Sequence, residues 1–340
     1  MKVEEQTQNR IWLIDLLKGI AALSVVVLHI FLPDRVRQVL LIPFWCNLAV
    51  PIFITVSGFT FSLSSKKYSG GTPREDLANY FSPAAIVKKI KRVYAPFLAV
   101  YAVEIIGCLL RGEHPSALHI IKCLFIGGFT APGAYFIPVL VQIIIVFPFI
   151  SLLYNKIKSY SFLVIGAIQI IYELAVLKFN VPDSITRMTA FRCLLFLLCG
   201  IWLYCNYNKK IKAQLCILPM VLGAGWIIAI GYLNYQPTLF GTWKNTSFPV
   251  LLWYVPIMLI LFNKFAGTEL KHKSLICKFG RASYHIYLVQ MLYFLFVGNR
   301  FGNDFVNALV ALVACSTVGT LFYLAEQKIN AYIKKKRLSK

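Results

Sequence analysis

Acidic residues are scarce in this chain: 13 Asp and Glu stand against 35 Lys and Arg in 340 residues, a net charge of +22. Long polar stretches are scarce too, since charged residues make up 14% and hydrophobic ones 59%, with a mean hydropathy of +0.69. That balance excludes an ordinary soluble globular protein. The spacings that carry several common chemistries are also missing. There is no Walker loop, no G-x-G-x-x-G and no G-x-S-x-G elbow. The five histidines form no H-E-x-x-H or similar ligand spacing, so no metal site is expected. The nine cysteines contain no C-x-x-C pair and read as small hydrophobes; Cys108 and Cys123 are left open as a pair.

What the chain has instead is apolar runs long enough to cross a bilayer, which takes about 20 residues per helix. Ten are bounded by charge, Pro, Gly or Asn: 11–32, 39–63, 93–110, 134–154, 161–178, 188–205, 214–233, 247–263, 282–298 and 304–325. The expected fold is therefore all-α, a polytopic membrane protein of about ten helices. The stretch 114–129 is too short and interrupted for a span and reads as interfacial or re-entrant. The first run lacks a small-residue cleavage site and is expected to stay as an anchor.

Counted along ten spans, 25 of the 35 basic residues fall in loops on one side, including Lys66, Lys67, Lys88, Lys89, Lys91, Arg92 and the tail "KKKRLSK". Eight fall on the other side: Arg35, Arg37, Arg111, Lys122, Lys178, Arg187, Lys244 and Arg300. This asymmetry predicts cytoplasmic termini and accounts for the positive charge without nucleic acid. The expected organisation is a cytoplasmic N-terminus (1–10), a membrane domain (11–325) and a basic cytoplasmic tail (326–340).

The first run, "IDLLKGIAALSVVVLHIF", carries Asp15, Lys18 and His29. At 100° per residue the step from Lys18 to His29 closes to about 20° past three turns and rises about 16 Å, so both lie on one face. Asp15, three residues before Lys18, shares that stripe. A charge in the bilayer centre costs at least a few kcal/mol, and three ionisable groups on one stripe point to a polar cavity. Singly, Lys18 could snorkel and His29 could sit at an interface. Glu104, Glu173 and Arg192 also fall inside spans, either as one another's partners or as cavity lining. Tyr284, Tyr287 and Gln290 form a polar stripe at three-residue steps, suited to an acceptor or to a neighbouring helix. Ser57 and Gly58 offer a hydroxyl with close backbone approach, or tight helix packing.

These residues carry a resemblance. "DLLKGIAALSVVVLH" resembles the opening helix of the acyltransferase 3 family, in which a basic residue is followed ten residues later by histidine; Lys18 and His29 match. "NLAVPIFITVSGFTFS" is similar to the family's second helix, "KKIKRVYAPFL" to its basic R-x-x-R entry with Lys89 and Arg92 in place, "AYFIPVLVQ" to its aromatic element with Tyr135 where tryptophan is usual, and "FGRASYHIYLVQMLYF" to its late element with Gln290 where histidine is common. The resemblance implies a membrane O-acyltransferase, an O-acetyltransferase in the simplest case, of a bacterial plasma membrane and without an appended esterase-like domain. It would take an acyl group from cytoplasmic acetyl-CoA or another acyl-CoA to a hydroxyl of a cell-surface glycan or its lipid-linked precursor. His29 would be the base or acyl carrier, with Lys18 and Asp15 beside it. Lys88, Lys89, Lys91 and Arg92 would meet the donor phosphates, unless they only flank a helix start. Ser57, Tyr135, Tyr287, Gln290, Glu104 and Glu173 are candidates for the acceptor side. A different class, a transporter or translocase of a glycan intermediate or small solute, would use the same buried charges as a relay.

Overall fold

The structure is a computed structural model that describes residues 11–30, 32–128, 131–210, 212–265, 274–298 and 300–338. The expected N-terminal segment 1–10 lies outside the described residues. Sixteen α-helices follow in order among those described: α1 Trp12–His29, α2 Asp34–Val39, α3 Ile42–Trp45, α4 Ala49–Ser65, α5 Pro73–Tyr80, α6 Pro83–Leu110, α7 Ala117–Ile126 and α8 Phe136–Ile157. Then come α9 Tyr160–Lys178, α10 Asp183–Arg187, α11 Leu194–Asn206, α12 Gln214–Gly231, α13 Leu251–Phe265, α14 Leu275–Arg281, α15 Ser283–Phe296 and α16 Asp304–Leu338. There is no strand among the described residues. In hydrocarbon a helix satisfies its own backbone groups, which is why the apolar runs fold this way.

Among the described residues, eight helical stretches are long and apolar enough to cross a membrane, and the protein is an all-α, multi-pass membrane protein. Each corresponds to one of the ten apolar runs. The other two runs are shorter in the fold. Run 188–205 becomes a 3-10 turn, Ala190–Cys193, leading into the 13 residues of α11, and run 282–298 becomes the 14 residues of α15. α11 is short because it is central: Leu194 through Ile201 are all buried, so neighbouring helices, rather than lipid, cover it on all sides. The 114–129 stretch supplies the ten-residue α7, started by the Ser116 hydroxyl accepting from the His119 amide. α16 continues through the basic tail as far as Leu338.

Two close approaches set the geometry of the bundle, and both use glycine. A Cβ on Gly200 of α11 would overlap the Thr55 carbonyl of α4 and stand 2.8 Å from the Phe59 nitrogen; one on Gly58 would overlap the Leu197 carbonyl. Likewise a Cβ on Gly280 of α14 would overlap the Asp15 carbonyl of α1. Without side chains at these points the helix backbones come into direct contact. Cys108 and Cys123, open as a pair on sequence, are both free thiols.

Candidate active site

α1 divides into two functional halves. The part up to Val26 is packing surface: Asp15 is 5% exposed where α14 crosses, Gly19 meets Ile276, and Ala22 and Val26 pack with Ala282, Ile286, Ala311 and Cys315. Lys18 is half-buried beside them. The last residue of the helix, His29, reaches open space. It lines a cavity of about 350 Å³, with one ring neighbour, Phe294, at 5.8 Å between centroids. Among the described residues nothing hydrogen-bonds its imidazole, which leaves the ring available to whatever occupies the cavity. Of the three ionisable residues on the stripe, the fold brings His29 to this cavity and sets Asp15 where α14 crosses, and Lys18 is not among the residues lining the cavity.

Around Val25, Leu28 and His29 of α1, five further chain segments form the cavity wall. α4 and its approach supply Asn47, Val50 and Phe53; the turn into α8 supplies Gly133, Tyr135 and Phe136; α15 supplies Tyr287; Arg187 ends α10; and Trp243, Lys244, Asn245 and Thr246 come from the 3-10 stretch Gly241–Thr246. Side chains of α15 fix the Tyr135 segment. Tyr287 donates from its hydroxyl to the Gly133 carbonyl at 2.7 Å, and Gln290 donates to the Pro132 carbonyl at 3.1 Å. Gly133 has φ of +91° with the Tyr287 ring 3.2 Å from where a Cβ would stand, so glycine is required there. Tyr284 ties to another helix, donating to the Val93 carbonyl at 2.8 Å. The polar stripe of α15 thus divides: Tyr284 and Gln290 hold neighbouring segments, and Tyr287 does so while also facing the cavity. Removing the Tyr287 hydroxyl with Tyr287→Phe is expected to leave the fold intact and lower activity about five-fold, the size of one hydrogen bond. Initial rates alongside a melting curve check this; an unaltered rate would mean the 131–135 segment needs no tether.

Behind the cavity stands an ion pair. The Arg192 guanidinium lies 4.2 Å from the Trp243 ring centre, and its Nε is 3.3 Å from Glu173 Oε1, both side chains being about nine-tenths buried. Glu173 and Arg192 are therefore each other's partner, and they support Trp243, which meets Tyr135 edge-on at 5.2 Å. Glu104 is fully buried on α6 against Gly128 and is not among the residues that line the His29 cavity. Ser57 returns its hydroxyl to the Phe53 carbonyl of its own helix at 2.7 Å.

A second cavity, of about 270 Å³, lies at the opposite end of α4 and α8. Ser62, Ser65, Lys66, Tyr68, Tyr80 and Asn155 are among its lining residues. Phe53 at the first cavity and Ser62 at the second are about 13 Å apart along α4. Lys89 is held at this end in a cage: its ammonium donates to the Tyr80 carbonyl at 2.8 Å and sits 3.2 and 4.4 Å from the ring centres of Tyr80 and Tyr68. Burial pushes the Tyr80 phenol above its usual value, so it stays protonated and donates to the Ile144 carbonyl at 2.9 Å. Lys88, Lys91 and Arg92 are exposed on α6. No cluster of three or more His, Cys, Asp or Glu with metal-binding geometry occurs among the described residues.

Sequence reasoning missed Asn47, Arg187, Trp243, Lys244 and Asn245, because each sits in a connection where no helical period applies. The run of aromatic, basic and amide residues in "TWKN" was the one visible signal. It also missed His285, whose Nε2 lies 2.7 Å from Glu326 Oε2 and which joins α15 to α16.

Compared with known proteins, the chain matches the Acyl_transf_3 family model, an acyltransferase domain, over residues 11–325. No curated protein and no solved structure matches it.

Proposed function

Since the chain belongs to the acyltransferase 3 family and is a membrane acyltransferase, we propose that it transfers an acyl group, acetyl in the simplest case, from acyl-CoA to a hydroxyl of a surface glycan or lipid-linked saccharide. The basic end of the bundle faces the cytoplasm of a bacterial cell, and the His29 cavity opens on the opposite side. The observation that carries this reading is His29 itself, an imidazole with no hydrogen-bond partner among the described residues, in the wall of a cavity lined by aromatic and amide side chains.

In the reaction His29 accepts the proton of the acceptor hydroxyl as that oxygen attacks the thioester carbonyl. The C–O bond forms, the C–S bond breaks, and the proton passes from the imidazolium to the departing thiolate. Residues at the basic end fit the donor: Lys66 and the hydroxyls of Ser62 and Ser65 line the cavity there, and the exposed Lys88, Lys91 and Arg92 follow on α6. Lys89, already engaged by two tyrosines, shapes that mouth by holding Tyr68 and Tyr80 in place.

Sealed membrane vesicles of both orientations, supplied with acetyl-labelled acetyl-CoA, test the proposal. Base-labile label is expected in glycan only where the basic end faces the added donor. Label confined to the other orientation would reverse the assignment of faces, and none in either would defeat the donor and acceptor together.

A further inference from the structure

The His29 cavity carries charge of one sign. Arg187 and Lys244 line it, and no Asp or Glu among the described residues does. Lys244 has no carboxylate partner among the described residues. Arg187 contacts Asp183 at 3.6 Å within one turn of α10, with both side chains half-exposed. Exposed pairs of that kind hold a side chain weakly, so the guanidinium is available to a ligand. It also lies 5.6 Å from the centre of the Trp243 ring, which fixes its direction toward the cavity wall. Arg192, by contrast, is neutralised by Glu173 and serves Trp243 from behind. Two cations at a concave, partly dehydrated site repel each other, and a ligand that brings negative charge relieves that repulsion. Asn47, Asn245 and Thr246 add hydrogen-bonding groups, and Trp243 and Tyr135 add flat apolar faces of the kind that receive a sugar ring.

Resting on the acyltransferase reading of this cavity, we infer that the acceptor is an anionic saccharide, its carboxylate or phosphate held by Arg187 and Lys244 while one of its hydroxyls meets His29. Planar, bidentate guanidinium binding suits either anion, and Lys244 supplies a point charge beside it.

The test starts from glycan labelled by the parent protein with acetyl-labelled acetyl-CoA and separated by anion exchange at neutral pH. The labelled product is expected to be retained. Carboxyl reduction then distinguishes a uronate-type acceptor, which loses retention, from a phosphodiester, which loses it only on mild hydrofluoric acid cleavage. With the same glycan, deacylated by base, as acceptor, Lys244→Gln and Arg187→Gln should each raise its KM about ten-fold, as loss of a charge-assisted contact does. Values of kcat should stay within about two-fold. Added salt should weaken the parent more than either variant, and Arg187→Lys should recover part of the loss. A neutral labelled product, or unchanged KM in both variants, overturns the inference and leaves the acyltransferase reading intact. If the parent labels no glycan at all, the acceptor reading itself fails and the inference with it.

Discussion

His29→Ala is expected to lower acyl transfer by about two to four orders of magnitude, the usual cost of removing a general base, while the protein inserts and folds as before. The ring makes one aromatic contact, to Phe294, and no hydrogen bond to described residues, so its loss disturbs little packing. Its value lies in the cavity, where its imidazole can take up the proton of an acceptor hydroxyl and return it. Label transfer by purified protein in lipid, with a melting curve of the same sample, separates chemistry from folding. A well-folded His29→Ala protein working at the normal rate would make His29 a wall residue only.

The second large effect concerns packing. Gly200→Ala places a methyl group against the Thr55 carbonyl and the Phe59 nitrogen, both backbone atoms of α4, which cannot rotate away as a side chain would. Overpacking of this kind costs about 1–3 kcal/mol and sometimes more, and here it separates the central helix from the element that bears Asn47, Val50 and Phe53. The expected result is loss of most of the monodisperse species in detergent and a clearly lowered melting temperature. Gly225→Ala on α12 is the control: nothing lies within 4 Å of its added carbon. That change should be neutral or stabilising, because alanine is favoured over glycine in a helix by about 0.5–1 kcal/mol. Equal stability of Gly200→Ala and the parent would refute direct backbone contact between α4 and α11.

The sequence by itself determined what depends on local periodicity and on the solvent. Apolar runs become helices because hydrocarbon leaves the backbone no other partner, and Lys18 and His29 share a face because eleven residues nearly close three turns. The crowding of Lys66, Lys88, Lys91 and Arg92 toward one end was legible for the same reason, since loops alternate sides from span to span. Tertiary structure alone decided how the charged stripe is used. Gly280 admits α14 against Asp15, which turns the first half of α1 into packing surface and leaves His29 at the cavity. Only the fold could show Lys89 caged by Tyr68 and Tyr80, Glu173 committed to Arg192, and Tyr287 with Gln290 holding the segment of Tyr135. Arg187, Trp243 and Lys244 meet His29 across more than 150 residues of chain, and no period in the sequence encodes such a meeting; it follows from which helices can approach closely enough to pack.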